Sequence, residues 1–162
     1  PPPILRWAHP TRATVPGLYK RILVGFDGSP EALEALRRAV DLARALGAEV
    51  HVLTVVPPPS VVLGPMMLPE TVDFTPLVKS AEEALERVVR EHAGGVKVEY
   101  SVRMGEPAAT ILEAAEDLEA DLIVLGRRRL RGLERVALGS VSSKVVNHAA
   151  VDVLVVRHEA QG

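Results

Sequence analysis

Five short aliphatic runs recur along the chain, and stretches with helical spacing separate them. RILVGF (21–26), AEVHVLTVV (48–56), VKVEYSVR (96–103), DLIVLG (121–126) and VDVLVV (151–156) are rich in β-branched residues and read as strands. After the first run, Asp27-Gly28-Ser29-Pro30 reads as a turn followed by a helix start. Ser29 fits the N-cap, and Pro30 fits the first helical position, where a missing N–H costs nothing. Apolar residues follow at 32, 33, 36, 39, 40, 43 and 46, and Gly47 suits the left-handed residue that closes a helix. Thr75-Pro76 repeats the cap-and-proline pattern before a second helix, which stops at Gly94-Gly95. Met104-Gly105-Glu106-Pro107 opens a third, with Ile111, Leu112, Ala115 and Leu118 on one face, and residues near 140–149 read as a fourth. This alternation predicts an α/β fold, a three-layer open twisted sheet of five mostly parallel strands with helices on both faces. DLIVLG, the most apolar strand, is expected at its centre, and VKVEYSVR, which alternates apolar and polar positions, is expected to be more exposed.

The chain has 162 residues, about one domain's worth. The strand–helix pattern occupies residues 20–157, which leaves a Pro-rich N-terminal arm at 1–19 and a tail at 158–162. Residues 57–76 interrupt the rhythm with seven prolines and glycines, and a connection this long is often functional. Lys plus Arg (19) nearly balance Asp plus Glu (21), for a net charge of −2, which argues against a nucleic-acid partner. The absence of cysteine excludes disulfides, thiolate metal sites and cysteine nucleophiles. The five aromatic residues are too few for a base-stacking platform. No apolar run approaches the roughly 20 residues of a membrane span, and PPPILRWAHP contains no apolar signal core. A cytoplasmic location without a membrane partner is expected.

In an open parallel sheet, ligands bind beyond the carboxyl ends of the strands, where the strand order reverses. The segments expected there are 27–29, 55–58, 104–107 and 126–140. GxxxxGK[ST], GxGxxG, HExxH and GxSxG are all absent, and the five histidines show no ligand spacing. What remains is Gly126 at the end of a strand, followed by Gly139 and Ser140 at the start of the last helix. Glycine lets a backbone approach an anion closely, a helix N-terminus offers free N–H groups, and Ser140 and Ser142 add hydroxyls. A turn glycine with a serine cap explains the same residues without a ligand. Asp27 likewise fits either a ligand contact or a cap on backbone N–H groups. Glu106 reads as a helix-start acid. No general base or nucleophile is evident, so an enzyme is not expected.

KRILVGFDGSPEALEAL, GEPAATI and the stretch from Gly126 onward resemble the universal stress protein family, over about residues 20–157. The ATP-binding members carry G-x2-G-x9-G-[ST], which Gly126, Gly139 and Ser140 match, while Arg129 stands at the second glycine. The resemblance implies a Rossmann-like fold holding ATP, or ADP or AMP, with Mg²⁺ carried through the phosphates and Asp27. It implies that Asp27 meets the ribose or the metal–phosphate region and that the Val55 main chain faces adenine. Gly126, Gly139, Ser140 and Val141 would cradle phosphate, with Ser142 beside them. It also implies a homodimer formed through the last strand, Val151–Val156, and a stress-response or signalling role.

Arg127, Arg128, Arg129, Arg131 and Arg135 cluster in one short stretch offset only by Glu134. Guanidinium pairs well with phosphate, so Arg127 and Arg129 are candidate anion contacts. Arg129 also leaves open the alternative of a nucleotide-free dimeric interaction protein, because a side chain stands where the motif has none.

Overall fold

The computed structural model describes residues 18–58, 73–127 and 138–158. Apart from their ends, the arm at 1–19, the connection at 57–76 and the tail at 158–162 lie outside the described residues, as do Arg128, Arg129, Arg131 and Arg135. Nine elements run in alternation: β1 (Arg21–Gly25), α1 (Pro30–Leu46), β2 (Glu49–Val56), α2 (Thr75–His92), β3 (Val98–Met104), α3 (Pro107–Asp117), β4 (Leu122–Gly126), α4 (Ser140–His148) and β5 (Asp152–Val156). The strands form one parallel sheet in the order β3-β2-β1-β4-β5. The α/β sandwich expected from the alternation is therefore present.

The centre of the sheet differs from the expectation. β1 is the middle strand, and β4 lies between β1 and β5. Leu122, Ile123, Val124 and Leu125 are nonetheless all buried, because β4 has helices on both faces and a strand on each side. Apolar content reports burial on two faces, which β1 and β4 share, and so does not decide which of them is the middle strand.

Period-2 alternation sends Ile22, Val24, Val50, Val52, Leu122 and Val124 into one core with Leu36, Ala39 and Val40 of α1 and Leu85 and Val89 of α2. Leu23, Leu53, Ile123 and Leu125 enter the other, with Ala108, Ile111 and Ala114 of α3 and Val145 of α4. At the amino end of the strands, Asp121 accepts the backbone N–H groups of Lys20 (2.8 Å) and Arg21 (3.1 Å), which fixes the entry into β1.

The helix boundaries follow local chemistry. Ser29 caps α1 by accepting the Ala32 N–H at 3.1 Å, and Gly47 closes it at φ +71°. Glu106 caps α3 by accepting the N–H groups of Ala108 (3.3 Å) and Ala109 (2.7 Å). These bonds, led by that from Ala109, hold its carboxyl below the ordinary carboxylate range, and Lys144 of α4 adds to the effect from 3.6 Å. The start of α2 departs from the expected pattern. Thr75 lies inside the helix, Phe74 occupies the cap position without a side-chain bond, and Asp73 accepts the Thr75 N–H at 3.0 Å. An aspartate two residues back replaces the threonine hydroxyl as acceptor.

Candidate functional site

The chain turns from β1 into α1 through Phe26-Asp27-Gly28-Ser29, at the point where the strand order reverses between β1 and β4. Gly28 holds φ +84°, a left-handed conformation that side chains disfavour. The turn is tied by Asp27, whose Oδ1 accepts the backbone N–H of Ser29 at 3.0 Å and its hydroxyl at 2.5 Å. Ser29 in turn accepts the Ala32 N–H. Of the two roles open to Asp27, capping is thus present in the structure. Replacing Ser29 by alanine removes both the helix cap and the tether on Asp27, and is expected to cost about 1 kcal/mol in urea unfolding. Replacing Ser29 by threonine keeps a hydroxyl and should restore most of that loss.

The end of β2 joins this turn. The Thr54 hydroxyl donates to the Phe26 carbonyl at 2.9 Å, and the Phe26 N–H donates to the Leu53 carbonyl at 2.8 Å. On the other side, Gly126 ends β4 and α4 starts at Ser140, with Gly139 in extended backbone at the cap position. The Ser143 N–H bonds to the Gly139 carbonyl at 2.9 Å, so the first turn of α4 is closed. Ser142 is 5% exposed, while Ser140 is exposed.

A cavity of about 530 Å³ opens between these segments. Asp27, Val55, Gly126, Gly139, Ser140, Val141 and Ser142 all line it, so the sheet gathers residues separated by more than a hundred positions. Two candidates are not placed there. Arg127 is absent from the lining, and its N–H extends the sheet by bonding the Val156 carbonyl at 2.7 Å. Arg129 lies outside the described residues. The sequence reading missed Phe26, Thr54 and Ile111, which also line the cavity, while Pro107 lines it from the expected segment 104–107. Their only signal in the chain is position, since each lies at or near a strand end or a helix start.

Gly126 also has a packing role. A Cβ there would strike the Glu31 carbonyl group and come within 2.8 Å of the Ala32 nitrogen. Its missing side chain lets β4 pass against the first turn of α1, and Glu31 and Ala32 of that turn line the cavity together with Gly126.

The cavity is therefore a polar-rimmed, partly apolar cleft. Its donors are helix-start N–H groups and the hydroxyls of Ser140 and Ser142. Its acidic groups are Asp27 and Glu31. Among the described residues no group of three or more His, Cys, Asp or Glu side chains is arranged to hold a metal ion. Among the described residues no helix is long and apolar enough to cross a membrane.

Known proteins share this architecture and sequence. Sll1388 of Synechocystis, a universal stress protein, is 37% identical over 152 residues, covering 86% of this chain and 99% of its own. The solved structure of protein MJ0577 superposes with a TM-score of 0.71 at 27% identity, over 88% of this chain and 99% of that one. A universal stress protein solved in complex with cAMP superposes at 0.66 with 27% identity, over 88% and 99%. The family model for universal stress proteins matches residues 18–157, close to the whole expected domain. On that match, this chain belongs to the universal stress protein family.

Proposed function

We propose that the cavity binds an adenine nucleotide, ATP or its di- or monophosphate, and that occupancy serves a stress-response or signalling role. The observation that carries this reading is the convergence of Asp27, Val55, Gly139, Ser140, Val141 and Ser142 on one cleft of about 530 Å³ at the reversal of strand order. The α4 N-terminus, which no side chain caps, suits phosphate oxygens, because its first N–H groups and its dipole favour negative charge. Main chain at Val55 suits the edge of adenine. Mg²⁺ would be held by phosphate oxygens together with Asp27. A related protein in complex with cAMP supports an adenine-containing ligand.

The reading is that of a binding module in the cytoplasm, with no nucleic-acid or membrane partner and at most slow hydrolysis of ATP. It includes a homodimer through Val151–Val156. Among the described residues, β5 is an edge strand with β4 as its sheet neighbour, and an open parallel edge favours pairing with a second copy.

Denaturing the purified protein should release nucleotide into the supernatant, and calorimetric titration of the emptied protein with ATP should give saturable heat. No released nucleotide and no heat at millimolar ATP would overturn the reading. The Arg129 position separates it from a nucleotide-free interaction protein. If Arg129 blocks the cleft, Arg129→Gly creates or greatly strengthens binding. If Arg129 is a phosphate ligand, the same change weakens it.

A further inference from the structure

A second group of reactive side chains lies on the β2–β3 side of the sheet, away from the cleft. The parallel register pairs His51 with Glu99, Leu53 with Ser101 and Val55 with Arg103. Period-2 alternation puts His51, Glu99, Ser101 and Arg103 on one face, the face that Leu53 shares with α3 and α4. The helix that packs on β3 is α2, from the opposite face, while α3 packs on β2. The polar side chains of β3 therefore form an open edge beside α3.

Within this edge, the Ser101 Oγ is 2.7 Å from the His51 Nε2. The other ring nitrogen, Nδ1, is 4.0 Å from the Glu99 carboxylate. Arg103 sits two residues beyond Ser101 and is anchored on Asp117 of α3 at 2.8 Å. His51 also lines a cavity of about 360 Å³, with apolar Leu23, Leu118 and Ala120 among its other walls. A hydroxyl within hydrogen-bond distance of an imidazole is the pairing through which a general base activates serine, and Glu99 adds a negative charge near that imidazole without a hydrogen bond to it.

We propose that Ser101 is a nucleophile that accepts a small acyl group from an activated carboxylic ester, with His51 as its general base. The Ser101 Oγ forms a bond to the ester carbonyl carbon as the His51 Nε2 takes the hydroxyl proton, and the carbonyl electron pair moves onto oxygen. The tetrahedral intermediate collapses, the bond to the leaving oxygen breaks, and His51 returns its proton to that oxygen. Acyl-Ser101, the free alcohol and neutral His51 remain. Glu99 stabilises the transient imidazolium, and the Arg103 charge favours the developing oxyanion.

The protonation state agrees with this role. Burial pushes the His51 imidazole below its ordinary value, Arg103 pushes the same way, and Glu99 opposes both. Arg21, Glu49, Lys97 and Asp117 also line the cavity, where Lys97 pairs with Glu49 at 3.0 Å. Neutral imidazole, the form that accepts a proton, therefore predominates at pH 7.

The test treats the full chain with 4-nitrophenyl acetate and follows acetylation by intact mass and peptide mapping. One acetyl group should appear on Ser101, at a rate that is flat above about pH 6.5 and falls at lower pH as His51 is protonated. His51→Gln should slow the reaction roughly 100-fold. Ser101→Ala should lose the adduct while the protein still folds. Acetyl groups on lysines with none on Ser101, or an equal Ser101 rate in His51→Gln, would overturn the proposal. Should His51→Gln fail to fold, the pH profile of the parent protein decides: a rate that does not fall between pH 7 and the lowest pH at which the protein stays folded rejects His51 as base. None of these readouts depends on nucleotide.

Discussion

Gly126→Ala is expected to lose about 3 kcal/mol of stability, the upper end of what overpacking usually costs, from the addition of one methyl group. The reason lies in what the methyl would meet. Its neighbours are the Glu31 carbonyl group and the Ala32 nitrogen, which are backbone atoms in the first turn of α1. A side chain could rotate away, but helix backbone moves only with the helix. β4 cannot retreat either, because β1 and β5 hold it on both sides. Gly25 offers a contrast, since a Cβ there would meet side-chain atoms of Leu125 at 2.7 Å and Ile111 at 3.3 Å, which have rotamers to give. Gly28 offers another. A Cβ there meets nothing within 4 Å, so Gly28→Ala should lose only the backbone penalty of about 1–2 kcal/mol for φ +84°. Urea unfolding of the three alanine variants checks the ranking: the Gly126→Ala midpoint should fall furthest with an unchanged m-value. A Gly126→Ala midpoint equal to that of the parent would refute the packing account. If the cleft binds nucleotide as proposed, Gly126→Ala should also weaken ATP, since the displaced turn carries Ser29 and lines the cleft.

This role for Gly126 shows where the sequence was legible and where it was not. Spacing from Gly139-Ser140 marked Gly126 as a site residue, and it does line the cleft. Its reason for being glycine, contact with a helix ninety-five residues earlier, has no local trace. Caps fared better because their chemistry lies within a few residues. Ser29-Pro30, Gly47 and Glu106 each behave as their neighbours imply. Thr75 failed because two acceptors, Asp73 and Thr75 itself, compete over the same few residues, and composition does not decide between them. Strand identity was legible from apolar period, whereas strand order was not. β1 and β4 are both buried on two faces, so their compositions do not distinguish middle from next-to-middle. The pairing of His51 with Ser101 was illegible for the same reason: it exists only once parallel register sets β2 against β3.

Leu36→Ala is expected to lose about 2–5 kcal/mol, a range that brackets the cost of Gly126→Ala. Leu36 is 0% exposed and sits at the middle of α1 in the core shared with β1, β2 and β4. Truncation removes the transfer energy of its side chain and leaves a void. The void is hard to close, because Val24, Val52 and Val124 around it are stiff β-branched residues held by the sheet. α1 packs against β1, β2, β4 and β5, and no other helix rests on as many strands. Its loosening would therefore reach the cleft through Ser29 and Asp27 as well as the sheet. Leu77→Ala on α2 is the control. Leu77 is 51% exposed, and the same chemical change there should stay within about 0.5 kcal/mol. In a thermal melt, Leu36→Ala should lower the midpoint by roughly 10 °C, at a few degrees per kcal/mol for a domain of this size, while Leu77→Ala leaves it nearly unmoved. Equal shifts in the two variants would mean that α1 is not seated on the sheet as described, and the basis for placing Asp27 and Ser29 at the cleft would go with it.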